Sequence, residues 1–273
     1  MNKNNIITLA EEFINNSSDN YISKETALHP KCVGLKIYEA PIFAFGLVDD
    51  EIYTKYKSAD VIGPHFLSPA EWLPNAKTVI SFFLPYTDTI NSANSVDSNW
   101  PADEWLHGRY EGHQLLVQLL EYLLKVISEA GYKSLAPSID ERYEMGAENI
   151  RFTSNWSERH IAYACGLGTF GLSKGLITKK GVSGRFGSIL TELDLPKDNK
   201  DYEDVYEYCN MCGVCINRCP AKAISFEGGK KSLLCGDFLD DVRAKHSPRY
   251  GCGKCQAGVP CESKIPIGKN KPN

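Results

Sequence analysis

The chain has no apolar run long enough to cross a bilayer, so no membrane-spanning helix is expected. Its first stretch, MNKNNIITLAEEFINNSSDN, lacks a secretion signal: Glu11 and Glu12 interrupt the short apolar segment, and no twin arginine precedes it. There is no excess of basic charge. The net charge is −4 with both signs interspersed, which argues against the basic face that non-specific nucleic-acid binding needs. Internal repeats are absent apart from paired sets of cysteines. These absences point to a cytoplasmic protein without a membrane partner.

Cysteine is what the chain has in plenty, and eight of its ten lie in the last quarter. The first run is Cys209-x2-Cys212-x2-Cys215-x3-Cys219, followed at once by Pro220. The second set is Cys235, then Cys252-x2-Cys255-x5-Cys261. One short loop can offer three thiolates to an iron–sulfur cube, but the fourth must come from elsewhere. In the bacterial two-cluster run, the cysteine before proline serves the other cluster. On that pattern Cys209, Cys212 and Cys215 hold one [4Fe–4S] cluster with Cys261 crossing over. Cys219 crosses to the other, joining Cys235, Cys252 and Cys255. All eight thiols are then used. Zinc favours two separated C-x2-C pairs, and disulfides need an oxidising compartment, so both fit less well. A weaker version leaves Cys235 free and completes a single cluster.

The 273 residues suffice for one sizeable core and a small appended module. The expected class is an α/β (α+β) core over residues 1–200, with a ferredoxin-like module carrying two [4Fe–4S] clusters over residues 201–273. Apolar spacing predicts helices over 6–16, 102–130 and 156–165. Strands are expected at 33–38, 42–48, 77–86, 176–178 and 188–193. Residues 87–99 read as a polar loop, 196–204 as a linker, and the cysteine tail as mostly loop.

Seven glycines crowd the stretch from Gly166 to Gly187. Gly166-x-Gly168-x-x-Gly171 matches the dinucleotide fingerprint, but it follows a helix rather than a strand, so that context fails. Tight local packing is the plain alternative, and a close approach to a flat partner is the functional one.

This stretch and the cysteine tail resemble the epoxyqueuosine reductases and the related corrinoid-dependent reductive dehalogenases. The matching pieces are Glu158-Arg159, the turn from Ala164 through Gly171, Gly187-Ser188, Thr191-x-Leu193-x-Leu195, the run ending at Cys235, and Tyr250-Gly251-Cys252-x-x-Cys255-Gln256. Gly108 to His113 is similar to a family segment near the active site. The resemblance implies a corrinoid over the glycine turns, with Gly166, Gly168, Gly171, Lys174 and Gly187 as contacts, fed by two clusters. It also implies reduced ferredoxin or flavodoxin as electron donor and a small-molecule or nucleoside-type substrate. The family's proton-donating Asp has no counterpart in Phe152 to Ser157, and the chain stops soon after Cys261, so a tRNA substrate is not expected. The rival expectation is a corrinoid-free electron-transfer protein that docks a partner enzyme.

Among single residues, His113 and Tyr110 are candidate proton donors, Arg185 is a candidate contact to an anion, and His160 reads as structural. Arg159 reads as an intrahelical ion-pair partner or a cofactor contact. Cys32 and Cys165 read as buried inert thiols, with Cys165 alone close enough to the glycine turn to touch a cofactor.

Overall fold

The computed structural model describes residues 1–147 and 150–268; the end of the cysteine tail, 269–273, lies outside them. In chain order the helices are α1 (Lys3–Asn16), α2 (Ile52–Tyr56), α3 (Pro69–Trp72), α4 (Asp88–Val96), α5 (Asp103–Glu129), α6 (Glu158–Cys165), α7 (Val214–Asn217) and α8 (Ser232–His246). The strands are β1 (Ile42–Leu47), β2 (Thr78–Pro85), β3 (Ser134–Leu135), β4 (Met145–Ala147), β5 (Ile150–Ser154), β6 (Gly168–Phe170), β7 (Leu176–Thr178), β8 (Gly184–Thr191), β9 (Ile224–Ser225) and β10 (Gly229–Lys230).

The central sheet runs β1-β2-β8-β3, and every pairing in it is antiparallel. β2 is buried along its whole length, because helices cover both faces. Ile80, Phe82 and Leu84 face one way, into a core with α1 and the Leu115, Leu119 and Leu123 stripe of α5. Val79, Ala44 and Leu190 face the other, against Trp72, Trp156 and Ile161 of the α6 side. A strand buried on both faces reads as a continuous apolar run rather than an alternating one, which is why 77–86 stood out in the sequence.

Four expectations change. Residues 88–96 form a helix, α4, capped by Thr87 Oγ1 accepting from the Ile90 N–H. Its buried face is Ile90, Asn91 and Asn94, and two asparagines hide an amphipathic pattern that hydropathy would otherwise show. Residues 33–38 make only isolated bridges, among them Tyr38 to Tyr86, instead of a strand. The linker is a strap: the Asp198 N–H donates to Phe45 O, and its carboxylate accepts from the Phe45 N–H and pairs with Lys3. It thereby covers the free edge of β1, an edge that would otherwise present open backbone groups. The tail, expected to be mostly loop, also contains the fifteen-residue helix α8.

Candidate functional site

The first cysteine loop turns sharply because Met211 and Gly213 both adopt positive φ, at 53° and 73°. The short α7 follows, and the Ala223 N–H then reaches Cys219 Sγ at 3.3 Å. The second loop is pressed onto the start of α5. A Cβ on Gly253 would lie 1.9 Å from the Trp105 ring, and one on Gly251 would lie 2.8 Å from Arg109 Cγ. Gly253 also has φ of 65°, so no side chain is tolerated there on either count.

These turns sort the eight thiols into two sets of four. Cys209, Cys212, Cys215 and Cys261 line a small hollow with Leu172, Ile177 and Val259. Cys219, Cys235, Cys252 and Cys255 line a larger cavity of about 350 Å³. Burial, reinforced by neighbouring thiols, pushes Cys215 and Cys261 up to about 12. Burial does the same to Cys252 and raises Cys235. Burial thus favours the protonated thiol at all four of these positions. Among the described residues no three His, Cys, Asp or Glu side chains are placed to grip a single metal ion. All ten cysteines are free thiols.

A buried polar clamp joins both loops to α4. Asn94 Oδ1 accepts from the Ala102 N–H and from Lys254 Nζ, each at 3.1 Å, while Nδ2 donates to Cys252 O at 3.1 Å. The Asn94 carbonyl accepts Lys254 Nζ at 2.9 Å and Arg218 Nη2 at 3.3 Å. Arg218 belongs to the first cysteine run and also donates to Lys254 O, in the second. Lys254 is fully buried, and burial lowers its pKa. None of Asn94, Arg218 or Lys254 was singled out from the sequence. The available signal was a lysine inside a Cys-x2-Cys loop, where a charge needs a dedicated partner.

The larger cavity has further walls. Tyr86 and Trp105 stand edge to face at 5.0 Å, and Phe186 closes another side. Lys230 Nζ lies 4.0 Å from Cys255 Sγ, and Cys255, which is negative as a thiolate, raises its pKa despite burial. Arg159 faces the same thiols and donates to Lys174 O, rather than forming the intrahelical ion pair expected of it. Glu158 is the one carboxylate lining this cavity among the described residues. Burial pushes it up to about 7 against the pull of nearby Ser188, Ser138 and Trp156, and neither oxygen makes a hydrogen bond.

Gly175 and Gly184 of the glycine stretch line this cavity, whereas Gly166, Gly168, Gly171, Lys174 and Gly187 do not. Gly166 caps α6 in the left-handed region, with φ of 102°. A Cβ on Gly168 would lie 2.0 Å from Ile177 O, and one on Gly187 would lie 2.4 Å from the Phe82 ring. Gly171 packs on Ile177 and borders the smaller hollow instead. Lys174, at φ of 57°, serves through its carbonyl, which holds Arg159. His113 accepts from Arg185 Nη2 at 3.0 Å, and Tyr110 lies under the Arg249 guanidinium. His160 bonds Ser157, and burial together with Arg159 lowers it to about 3. Cys165 points to Val79 O, away from the cavity, and burial pushes Cys32 up to about 11.

No family model matches the chain. Over 214 residues it is 28% identical to the epoxyqueuosine reductase of Vibrio cholerae, taking in 73% of this chain and 53% of that one. Over 118 residues it is 39% identical to a tetrachloroethene reductive dehalogenase of Desulfitobacterium hafniense, covering 39% of this chain and 21% of that one. An epoxyqueuosine reductase solved with an epoxyqueuosine-modified tRNA-Tyr stem loop superposes at a TM-score of 0.53 and 17% identity, covering 97% of this chain and 68% of that one. A reductive dehalogenase solved in work on B12-dependent dehalogenation gives 0.52 and 14%, covering 83% and 30%. The chain spans about half the length of the epoxyqueuosine reductases it matches and about a fifth of the dehalogenases. Identities this low in the solved structures establish a common fold. In sequence the chain is similar to the epoxyqueuosine reductases and the reductive dehalogenases, and it shares their fold.

Proposed function

We propose that the chain is a cytoplasmic iron–sulfur oxidoreductase that delivers electrons to a substrate in the larger cavity. The observation that carries this reading is the sorting of eight thiols into two sets of four, each round its own hollow. That is the arrangement two cubane clusters need, with one cysteine of each peptide run crossing to the other set. The domain division goes with this reading: residues 201–273 would carry the cluster ligands, and residues 1–200 add walls to both hollows, among them Tyr86, Trp105, Glu158 and Arg159 in the larger and Leu172 and Ile177 in the smaller.

When bound, the clusters supply one-electron transfer and a corrinoid supplies a cobalt centre for the reduction. On this reading a corrinoid would lie in the larger cavity, among Tyr86, Trp105, Phe186, the Cys219 set, and Gly175 and Gly184 of the glycine stretch, rather than against Gly168 and Gly187. There the glycines are filled against Ile177 and Phe82. The roles of the cavity residues follow from charge. Lys230 and Arg159 offset the negative charge of the four thiolates. Tyr86 and Trp105 keep water from the wall beside the Cys252–Cys255 loop. Glu158 can carry a proton near neutrality, which a reductive step consumes. A reduced ferredoxin or flavodoxin is the fitting donor, reaching the smaller hollow first.

Iron, sulfide and cobalt quantification on anaerobically prepared protein tests this. About eight irons per chain are expected. Zinc, or no acid-labile sulfide, would refute the reading. Full clusters that take up no cobalamin would leave the corrinoid-free electron carrier. The relatives' names keep a tRNA-borne queuosine precursor among the substrates to test, and loss of queuosine on deletion of the gene would select it.

A further inference from the structure

We infer that the larger cavity receives a small anion with a flat apolar body, held through its carboxylate or phosphate by Arg109 and Arg185. This rests on the oxidoreductase reading and names the class of molecule that the site takes.

Both arginines line the cavity. Arg109 and His113 are one turn apart on α5, and residues four apart are neighbours on a helix surface. Arg185, from β8, donates to His113 Nδ1 at 3.0 Å. The two arginines are thus presented to the cavity from neighbouring positions, one on α5 and one bonded to the next turn of it. The histidine between them is no counter-charge: to accept from Arg185 its Nδ1 must be unprotonated, and burial lowers its pKa.

Among the described residues no acid is bonded to either arginine, and Arg109 Nη1 is buried without a hydrogen-bond partner. Its guanidinium lies 4.8 Å over the Tyr250 ring, which offers a π face but no acceptor oxygen. Glu111, the acid on the same helix, is committed to Arg249 and His107. Glu158 is a weak counter-charge, since it holds its proton up to about pH 7. The other cations at this wall have occupations of their own: Lys230 faces Cys255, and Lys254 is bound to Asn94.

A buried guanidinium N–H left without an acceptor costs free energy that a ligand oxygen recovers. The planar fork matches a carboxylate or phosphate with two parallel bonds. The body of the ligand is indicated by the walls beside the pair, where Tyr86 and Trp105 stand edge to face and Phe186 packs on Phe83. Such a wall favours a ring or other flat group.

The test is calorimetric titration of the anaerobic full chain with benzoate and with inorganic phosphate. Benzoate should bind, more tightly than phosphate, and Arg109→Gln and Arg185→Gln should each weaken it at least tenfold. Arg243→Gln, which removes the other guanidinium on the Tyr250 ring, should leave it unchanged. Arg109→Lys and Arg185→Lys keep charge and stem but lose the fork. They should fold with wild-type melting temperatures and still bind benzoate at least threefold more weakly, which separates recognition from a folding defect. No binding of either anion, or equal affinity in the glutamine variants, would overturn the inference. Benzoate binding abolished by saturation with cobalamin would also overturn it, by assigning the arginines to that cofactor's phosphodiester. Iron and sulfide content on the same samples decides the oxidoreductase reading separately.

Discussion

Asn94 should be worth more to this protein than any single cluster-loop residue other than the cysteines themselves. Truncation to alanine removes three side-chain hydrogen bonds: to the Ala102 N–H, to Cys252 O and to Lys254 Nζ. The first two are ordinary bonds, worth about 1 kcal/mol each, and the third is charge-assisted, worth about 1.5–3 kcal/mol. The sum is about 4 kcal/mol. For a chain of this size that corresponds to roughly 8–16 °C in melting temperature. The damage should also be local. Lys254 would remain buried with one carbonyl partner, and Cys252, bonded through its carbonyl, would lose its anchor. We expect Asn94→Ala to lower melting temperature by that amount and to lose iron preferentially from the Cys219 set. Lys254→Met provides the discriminating control. It removes the buried charge along with the bond, and replacing a buried charge by an apolar group of similar volume is often close to neutral. It should therefore cost less than Asn94→Ala. Differential scanning calorimetry and iron analysis read both outcomes. An Asn94→Ala protein that melts within about 2 °C of wild type with full iron would refute the clamp, as would a Lys254→Met variant that is the less stable of the two.

Other consequences follow from the same geometry. Cys235→Ala should take iron from about eight towards about four per chain, with one cluster signal retained by electron paramagnetic resonance; loss of both signals would count against the two-set arrangement. Lys230→Met removes a positive charge beside Cys255 and should lower the potential of that cluster alone, by about tenfold in its reduction equilibrium, or 59 mV for one electron; a redox titration with unchanged midpoints would exclude a tuning role. Glu158 has its pKa raised from 4.5 to about 7 by burial, so the folded chain keeps a proton that the unfolded chain releases in that window. Stability should therefore fall as pH rises through it, by about 3 kcal/mol. Denaturant unfolding below and above the window should show this slope in wild type and not in Glu158→Gln; parallel curves would place the carboxylate in a wetter setting.

The cysteine spacing was the most informative local pattern, because a ligand loop must repeat its residues at fixed steps to meet a cube. The buried strand 78–85 and the long helix 103–129 were equally legible, since a run of β-branched and aromatic residues and a leucine stripe are each local signals. The glycines were legible as glycines, but their reason was not. Gly168 and Gly187 are small because Ile177 and Phe82 come from other parts of the chain to fill the space. Helix α4 was missed because its buried face carries asparagines whose partners, Cys252, Lys254 and Ser183, lie far along the chain.

The sequence by itself determined that eight thiols exist in metal-binding steps and that an apolar core stands beside them, for both are properties of neighbours along the chain. Only the tertiary structure decided which side chains wall the two thiol hollows, that Asn94 ties the two loops to the core, and that two arginines face one cavity without an ion-pair partner among the described residues. Those depend on burial and on distance through space, and a charge without a partner can be recognised only once everything that might have answered it has been placed.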